Sequence, residues 1–195
     1  MPPNVAGVLL AAGSGSRLGR PKALVIVGGQ SLVERGVALL RDGGARPVIV
    51  VTGAAEPPDR PGDAIMVRNA DWATGMGSSL AAGLAAVPPD CAAAVIALAD
   101  QPLVGAESVR RLIAAAAGGA PVAVACYKGR PRNPVLIGRE HWPAVLALAI
   151  GDVGARPFLR AHPELVTQVE CGDVGRPDDI DSAADLASAE RLLTT

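Results

Sequence analysis

The order of apolar runs along the chain limits its fold more than any other feature. Residues 5–11 (VAGVLLA) are a short, wholly apolar run that stops at a Gly/Ser-rich stretch, the pattern of a buried strand running into a loop. Similar runs recur at residues 47–51, 64–67 and 92–99, the last ending at Asp100, with shorter ones at 122–125 and 135–137. Helical segments separate them. Ser31 and Glu34 have capping-box spacing and open a helix predicted to reach about Arg41, where Gly43 and Gly44 follow. Residues 78–87 are predicted helical until Pro88 stops them, as are 107–117, and 139–161 in two pieces broken around Gly151. Strands alternating with helices imply a mostly parallel, Rossmann-like sheet covered on both faces: a three-layer α/β/α sandwich, expected as a single domain over residues 1–195. Ligands of such sheets bind at the carboxyl ends of the strands.

Half of the residues are hydrophobic but only 2% are aromatic, so the core must be built from closely packed Ala, Val, Leu and Ile, which favours layers. The 18 basic and 19 acidic residues give a net charge of -1 without a basic stripe, so no nucleic-acid partner is expected. Cys91, Cys126 and Cys171 are odd in number, far apart and without metal-ligand spacing, and read as reduced core thiols. The start has no basic segment, and its apolar run is too short for a signal peptide or a membrane span. A cytoplasmic location is the expectation.

The strongest local signal is LLAAGSGSRLGRPKAL, residues 9–24, where a strand delivers a glycine-rich turn carrying Arg17 and Lys22. Glycines let backbone amides approach a polyphosphate, and the two cations neutralise its charge. As a loop residue, Lys22 is expected to bury little. Gly13, Gly15 and Gly19 also have some likeness to a dinucleotide fingerprint, which would make the protein a nicotinamide-dependent oxidoreductase. A dinucleotide glycine turn opens directly into a helix, however, whereas Pro21 and the β-like LVIVGG intervene here before Ser31. A P-loop is excluded, since no GK[ST] follows a glycine. A merely flexible surface loop fits poorly with a buried strand feeding paired cations.

LAAGSGSRLGRPK resembles the LAAGxSxRxGxxK signature of the MobA-like nucleotidyltransferases, and in particular their MocA-type molybdenum cofactor cytidylyltransferase branch. NADWATGMGSSLAAGL from Asn69, ALADQPLV from Ala97, RNPVLI from Arg132, GDVGAR from Gly151 and DIDSAADL from Asp179 match in the same order, so the resemblance spans nearly the whole chain. It implies the nucleotide-diphospho-sugar transferase type of sheet and Mg²⁺-dependent transfer of CMP from CTP to molybdopterin, with release of pyrophosphate. Leu10, Ala11, Ala12, Gly13, Ser14, Gly15, Ser16, Arg17 and Lys22 would contact the nucleotide, together with Gly77, Ser78 and Ser79 of the GMGSSL turn. Arg17, Lys22 and Asp100 would carry catalysis, and Gln101, Arg132, Asn133 and Pro134 would face the acceptor. A molybdoenzyme or its chaperone is an implied protein partner. Relatives often have glycine where Arg132 stands, which keeps a sugar or alcohol phosphate open as the acceptor. A catalytically silent nucleotide-binding protein is a further class, against which Arg17, Lys22, Asp100 and Asp181 together argue.

Asp100 ends an apolar strand, which puts its carboxylate at the ligand edge, where Mg²⁺ beside phosphates needs one or two protein ligands. Asp181 joins it as second ligand by resemblance, although beside Ser182 it is also a helix-cap candidate. Trp72 can stack on a ligand or pack. His141 and His162 adjoin no nucleophile motif, and no GxSxG or HExxH is present. Ala12 separates LAAG from the LAGG of guanylyltransferase relatives; its methyl would fill space that a purine needs, which points to CTP.

Overall fold

The computed structural model describes residues 3–193, so residues 1, 2, 194 and 195 of the expected domain lie outside the described residues. In chain order the elements are β1 (Val5–Leu10), β2 (Ile26–Val27), β3 (Gln30–Ser31), α1 (Leu32–Asp42), β4 (Val48–Thr52), β5 (Ile65–Arg68) and α2 (Met76–Ala85). They continue as β6 (Ala93–Leu98), α3 (Ala106–Ala117), β7 (Val122–Tyr127), β8 (Arg130–Gly138), α4 (Trp142–Leu148), α5 (Arg156–Ala161), β9 (Val166–Glu170) and α6 (Ala183–Leu193). Short 3-10 turns fill several connections, and β2 and β3 form a separate small hairpin.

The main sheet has the order β5-β4-β1-β6-β8-β7-β9. All neighbours are parallel except β8, which runs antiparallel to both β6 and β7. Every residue of β1 is buried, as a central strand covered on both faces requires. Side chains alternate between two cores. One face gathers Leu9, Val50, Val95 and Leu136 under α1, α3 and α6, and the other gathers Val8, Val51, Ile96 and Ile137 under α2, α4 and α5. This is the expected three-layer sandwich. Among the described residues, no helix is long and apolar enough to cross a membrane.

Local signals explain several boundaries. Ser31 caps α1 as expected: its side chain accepts from the Glu34 amide at 3.1 Å, and the Glu34 carboxylate accepts from the Ser31 amide at 2.7 Å. The helical region after residue 139 breaks around Gly151 as expected: α4 ends at Leu148, Ala149 leaves helical geometry, and Gly151, at φ 69°, opens a 3-10 turn before α5. Other elements differ from expectation. β8 begins five residues earlier than the apolar run at 135–137, because its arginine-rich half continues a hairpin with β7 through Lys128 and Gly129. β9 and α6 were not anticipated. β9 is an edge strand, mostly exposed and polar, and α6 buries only Ala189 fully, so neither shows a strong apolar period.

Candidate active site

The carboxyl ends of β1 and β6 lie side by side, since Leu10 pairs with Leu98. Chain leaving β1 forms the glycine loop, and chain leaving β6 presents Asp100. The loop closes on itself through the Lys22 amide, which donates to the Gly13 carbonyl at 3.2 Å, and the Leu18 amide, which donates to Gly15 at 2.9 Å. Lys22 then points back at the sheet edge. Its ammonium donates to Asp100 Oδ2 and, at 2.9 Å, to Asp181 Oδ1. Arg17 approaches the other oxygen of Asp181 at 3.4 Å. Four residues assigned from the sequence thus meet at one point.

The expectation that Lys22 buries little does not hold: its side chain is 18% exposed and that of Asp100 17%, whereas Asp181 is 42% exposed. Burial pushes the Asp100 carboxyl above its ordinary range, against the downward pull of Lys22. Burial works to lower the Lys22 ammonium, but Asp100 and Asp181 outweigh it and hold the group charged. Asp181 is not a helix cap. Ser182 takes that role for α6, with its hydroxyl accepting from the Asp185 amide at 3.3 Å while the Asp185 carboxylate accepts from the Ser182 amide at 2.8 Å. The Asp181 side chain is thereby left to face Lys22 and Arg17.

The segment before α6 is pinned under the site. The Ile180 amide donates to the Asp100 carbonyl at 2.8 Å, and the Gln101 side-chain amide donates to Asp179 at 2.8 Å. Two cavities flank the meeting point. One, of about 160 Å³, runs along Leu10, Ala11, Ala12 and Gly13 to Lys22 and Asp100, with Trp72, Ser79 and Asp152 opposite. The other, of about 500 Å³, contains Gln101, Arg132 and Asn133 among largely apolar walls. Met76 and Leu98 line both, so the two adjoin.

The structure spreads the expected nucleotide contacts unevenly. Ser14, Gly15, Ser16 and Arg17 lie on the outer loop and do not line the small cavity, and Pro134 is buried behind Asn133 and lines neither. Ser78 serves its own turn: its hydroxyl lies 2.9 Å from the Gly75 carbonyl and accepts from Asn69 Nδ2 at 2.8 Å. Gly77 packs beneath the cavity, where an added Cβ would fall 1.7 Å from the Ala149 carbonyl oxygen. Gly75, at φ 119°, turns the chain into α2 in a conformation other residues rarely adopt. Trp72 is not simply packing: it lines the cavity beside Ala12, both close enough to Gly53 to leave no room for a side chain there.

Asn69 and Asp152 received no role from the sequence. Asn69 is buried and bonds both Ser78 and Ser79, the latter at 3.0 Å. Asp152 accepts from the Met76 amide at 3.1 Å, which ties the 151–154 turn to the start of α2, where a carboxylate is favoured. In sequence Asn69 is marked only as the first residue past the strand that ends at Arg68, and Asp152 by the Gly-Asp pair at 151–152.

Asp100 and Asp181 already converge on one cation, the Lys22 ammonium, so the donor set fits a hard divalent cation that keeps most of its ligands as water and phosphate oxygen. Among the described residues no group of three or more acidic, His or Cys side chains gathers to enclose a metal. That arrangement suits a metal shared with a substrate.

Known proteins resemble this chain over most of its length. Residues 7–166 match the MobA-like NTP transferase domain. The chain is 38% identical to nicotine blue oxidoreductase of Paenarthrobacter nicotinovorans, over 92% of this chain and 93% of that protein. It is 33% identical to the molybdenum cofactor guanylyltransferase of Rhizobium johnstonii, over 97% and 93%. The crystal structure of the Mycobacterium tuberculosis rv0371c homolog from Mycobacterium sp. strain JC1 superposes with a TM-score of 0.81 at 32% identity, covering 97% of this chain and 98% of that one. The sandwich is that of the nucleotide-diphospho-sugar transferases. With the family pattern matched over most of its length and full-length relatives on either side, the chain belongs to the MobA-like NTP transferase family, a family of nucleotidyltransferase enzymes.

Proposed function

We propose that the protein, acting as one domain, transfers CMP from CTP to a phosphorylated acceptor of the molybdopterin type and releases pyrophosphate. The observation that carries this reading is the convergence of Lys22, Asp100 and Asp181 where a small cavity along the glycine loop adjoins a larger one. Lys22 and Arg17 offset charge on the triphosphate, and Ala12, Trp72 and Ser79 enclose the base. Asp100 and Asp181 would hold Mg²⁺, which supplies further charge neutralisation at the phosphates. Gln101, Arg132 and Asn133 orient the acceptor. A phosphate monoester is already ionised near neutral pH, so its oxygen attacks the α-phosphorus without a general base. The bond from that phosphorus to the bridging oxygen breaks, and the electron pair leaves with pyrophosphate. The three cysteines, all buried and free, suit the reducing cytoplasm in which this proposal places the protein.

The test is incubation with each labelled NTP, Mg²⁺ and molybdopterin, reading pyrophosphate. CTP is expected to serve best, and Asp100→Asn to lower Mg²⁺-dependent turnover about 100-fold. Tight NTP binding without pyrophosphate favours the silent reading. The relative named nicotine blue oxidoreductase favours a second reading, the nicotinamide-dependent oxidoreductase that the glycine loop also allows. Against it, the glycine loop runs into a 3-10 turn and the β2–β3 hairpin, leaving no helix N-terminus directly behind it for a pyrophosphate. Oxidation of NADH or NADPH on adding nicotine blue, without pyrophosphate release from any NTP, would reverse the choice.

A further inference from the structure

The β7–β8 hairpin and α5 collect cations that the fold itself leaves unused. Lys128 sits in the hairpin turn, Arg130 and Arg132 lie two residues apart on one face of β8, and Arg156 and Arg160 are one turn apart on α5. All five are exposed, and among the described residues none has an ion pair or side-chain hydrogen bond. Two acids near the hairpin, Glu170 and Asp179, form no ion pair with them. Glu170 spends its carboxylate on the amides of Lys128 at 3.0 Å, Gly129 at 3.1 Å and Gly172 at 3.0 Å, and Asp179 accepts from Gln101. The chain as a whole carries a net charge of -1, so this excess is local.

The cations border two cavities joined at Arg132. Arg132, Arg156 and Arg160 line the 500 Å³ cavity, whose middle is apolar, with Leu98, Val124 and Leu159. Lys128, Arg130 and Arg132 line a second one of about 360 Å³, with Tyr127 and Pro177. Like charges within a Debye length repel, and surfaces usually intersperse the two signs. The charged residues lining the 360 Å³ cavity are all cations, and the 500 Å³ cavity sets three arginines against the single carboxylate of Asp179. A cationic excess of this kind recruits an anion, and guanidinium groups match phosphate and carboxylate oxygens in pairs.

We propose that the acceptor is a polyanion with an apolar body: beyond the phosphate that attacks, it carries a second anionic group, held by Lys128, Arg130 and Arg132. The proposal rests on the larger cavity being the acceptor side of the transfer reaction. The expected ligand is therefore a flat or aliphatic body bearing anions at opposite ends. A simple phosphate monoester leaves the hairpin cations empty.

Calorimetric titration tests this with three probes: naphthyl phosphate, a naphthalene bisphosphate with its phosphates at opposite ends, and the analogue with one phosphate replaced by carboxylate. At low salt the bisphosphate should bind the wild type about tenfold more tightly than the monophosphate. Lys128→Asn with Arg130→Ser should abolish that advantage without changing CTP affinity; Asn tolerates the positive φ of 54° at position 128. Arg41→Ser with Arg46→Ser, which removes the same charge elsewhere, should leave the advantage intact. Equal binding of mono- and bisphosphate, an advantage that survives the hairpin variant, or equal loss in the control variant would each overturn the proposal. A gain shared by the carboxylate analogue identifies a general anion site, and a gain confined to the bisphosphate identifies a second phosphate. Tight bisphosphate binding by a protein that binds no NTP would defeat the transfer reading and leave the anion site standing.

Discussion

Replacing Lys22 with Met keeps the length of the side chain and deletes its charge, and the structure determines what should follow. The ammonium stands between Asp100 and Asp181. Without it the Asp100 carboxylate, 17% exposed, loses its hydrogen-bond partner and faces two other acids, Asp179 and Asp181. Deleting one partner of a buried pair costs about 3–5 kcal/mol. The Asp181 arm adds less than about 1 kcal/mol, because that side chain is 42% exposed and screened by water. Some relaxation toward solvent is open to Asp181, so a loss of about 3 kcal/mol is expected in the presence of chelator. For a chain of this size that lowers Tm by about 6–12 °C. Mg²⁺ should then return more stability to the variant than it adds to the wild type, since it meets two carboxylates with no ammonium competing for them. Thermal unfolding followed by circular dichroism, in chelator and then in millimolar Mg²⁺, reads both effects. A variant within about 2 °C of wild type in chelator, or equal gains from Mg²⁺ in the two proteins, would refute a shared charge site.

Gly77→Ala should cost about 3 kcal/mol in denaturant unfolding and weaken CTP binding, since its Cβ would force α2 away from the Ala149 carbonyl; wild-type stability would contradict this. Ala12→Gly should narrow the preference of kcat/KM for CTP over GTP by about 10 to 200-fold, mainly by improving GTP use, and an unchanged ratio would remove Ala12 as the selector. The Glu170 carboxyl is held below its ordinary range by the amides of Gly129, Lys128 and Gly172. Its anchoring of the hairpin is therefore complete above about pH 4.5 and lost as the pH falls below that. Protection of those amides against hydrogen exchange, taken relative to the intrinsic exchange rate at each pH, should fall on acidification in the wild type and be low at all pH values in Glu170→Ala; strong protection in the variant would show that the turn holds without it.

Much of the architecture was legible in residue order. Residues 5–11 and 92–99 announce buried central strands because a strand covered on both faces needs no polar alternation, and Asp100 stands out as the charge that ends one of them. The capping box at Ser31 and the break at Gly151 are likewise local, each set by a few backbone groups and the side chains beside them. β9, α6 and the arginine-rich half of β8 were not legible, because exposed edge strands and a helix with one fully buried residue leave little hydrophobic period. The site divides in the same way. Sequence identifies Lys22, Asp100 and Asp181 as chemically apt, yet it does not distinguish Asp181 as a cap from Asp181 as a site residue, nor Lys22 as an exposed loop cation from one enclosed by acids. Those choices depend on contacts across 78 and 159 residues. They are made by the β1–β6 pairing, and by the Ile180 amide donating to Asp100 while Ser182 and Asp185 close the helix end. Local patterns specify elements because their hydrogen bonds close within a few residues; the charges of this site acquire their partners only when the sheet brings distant loops to one edge.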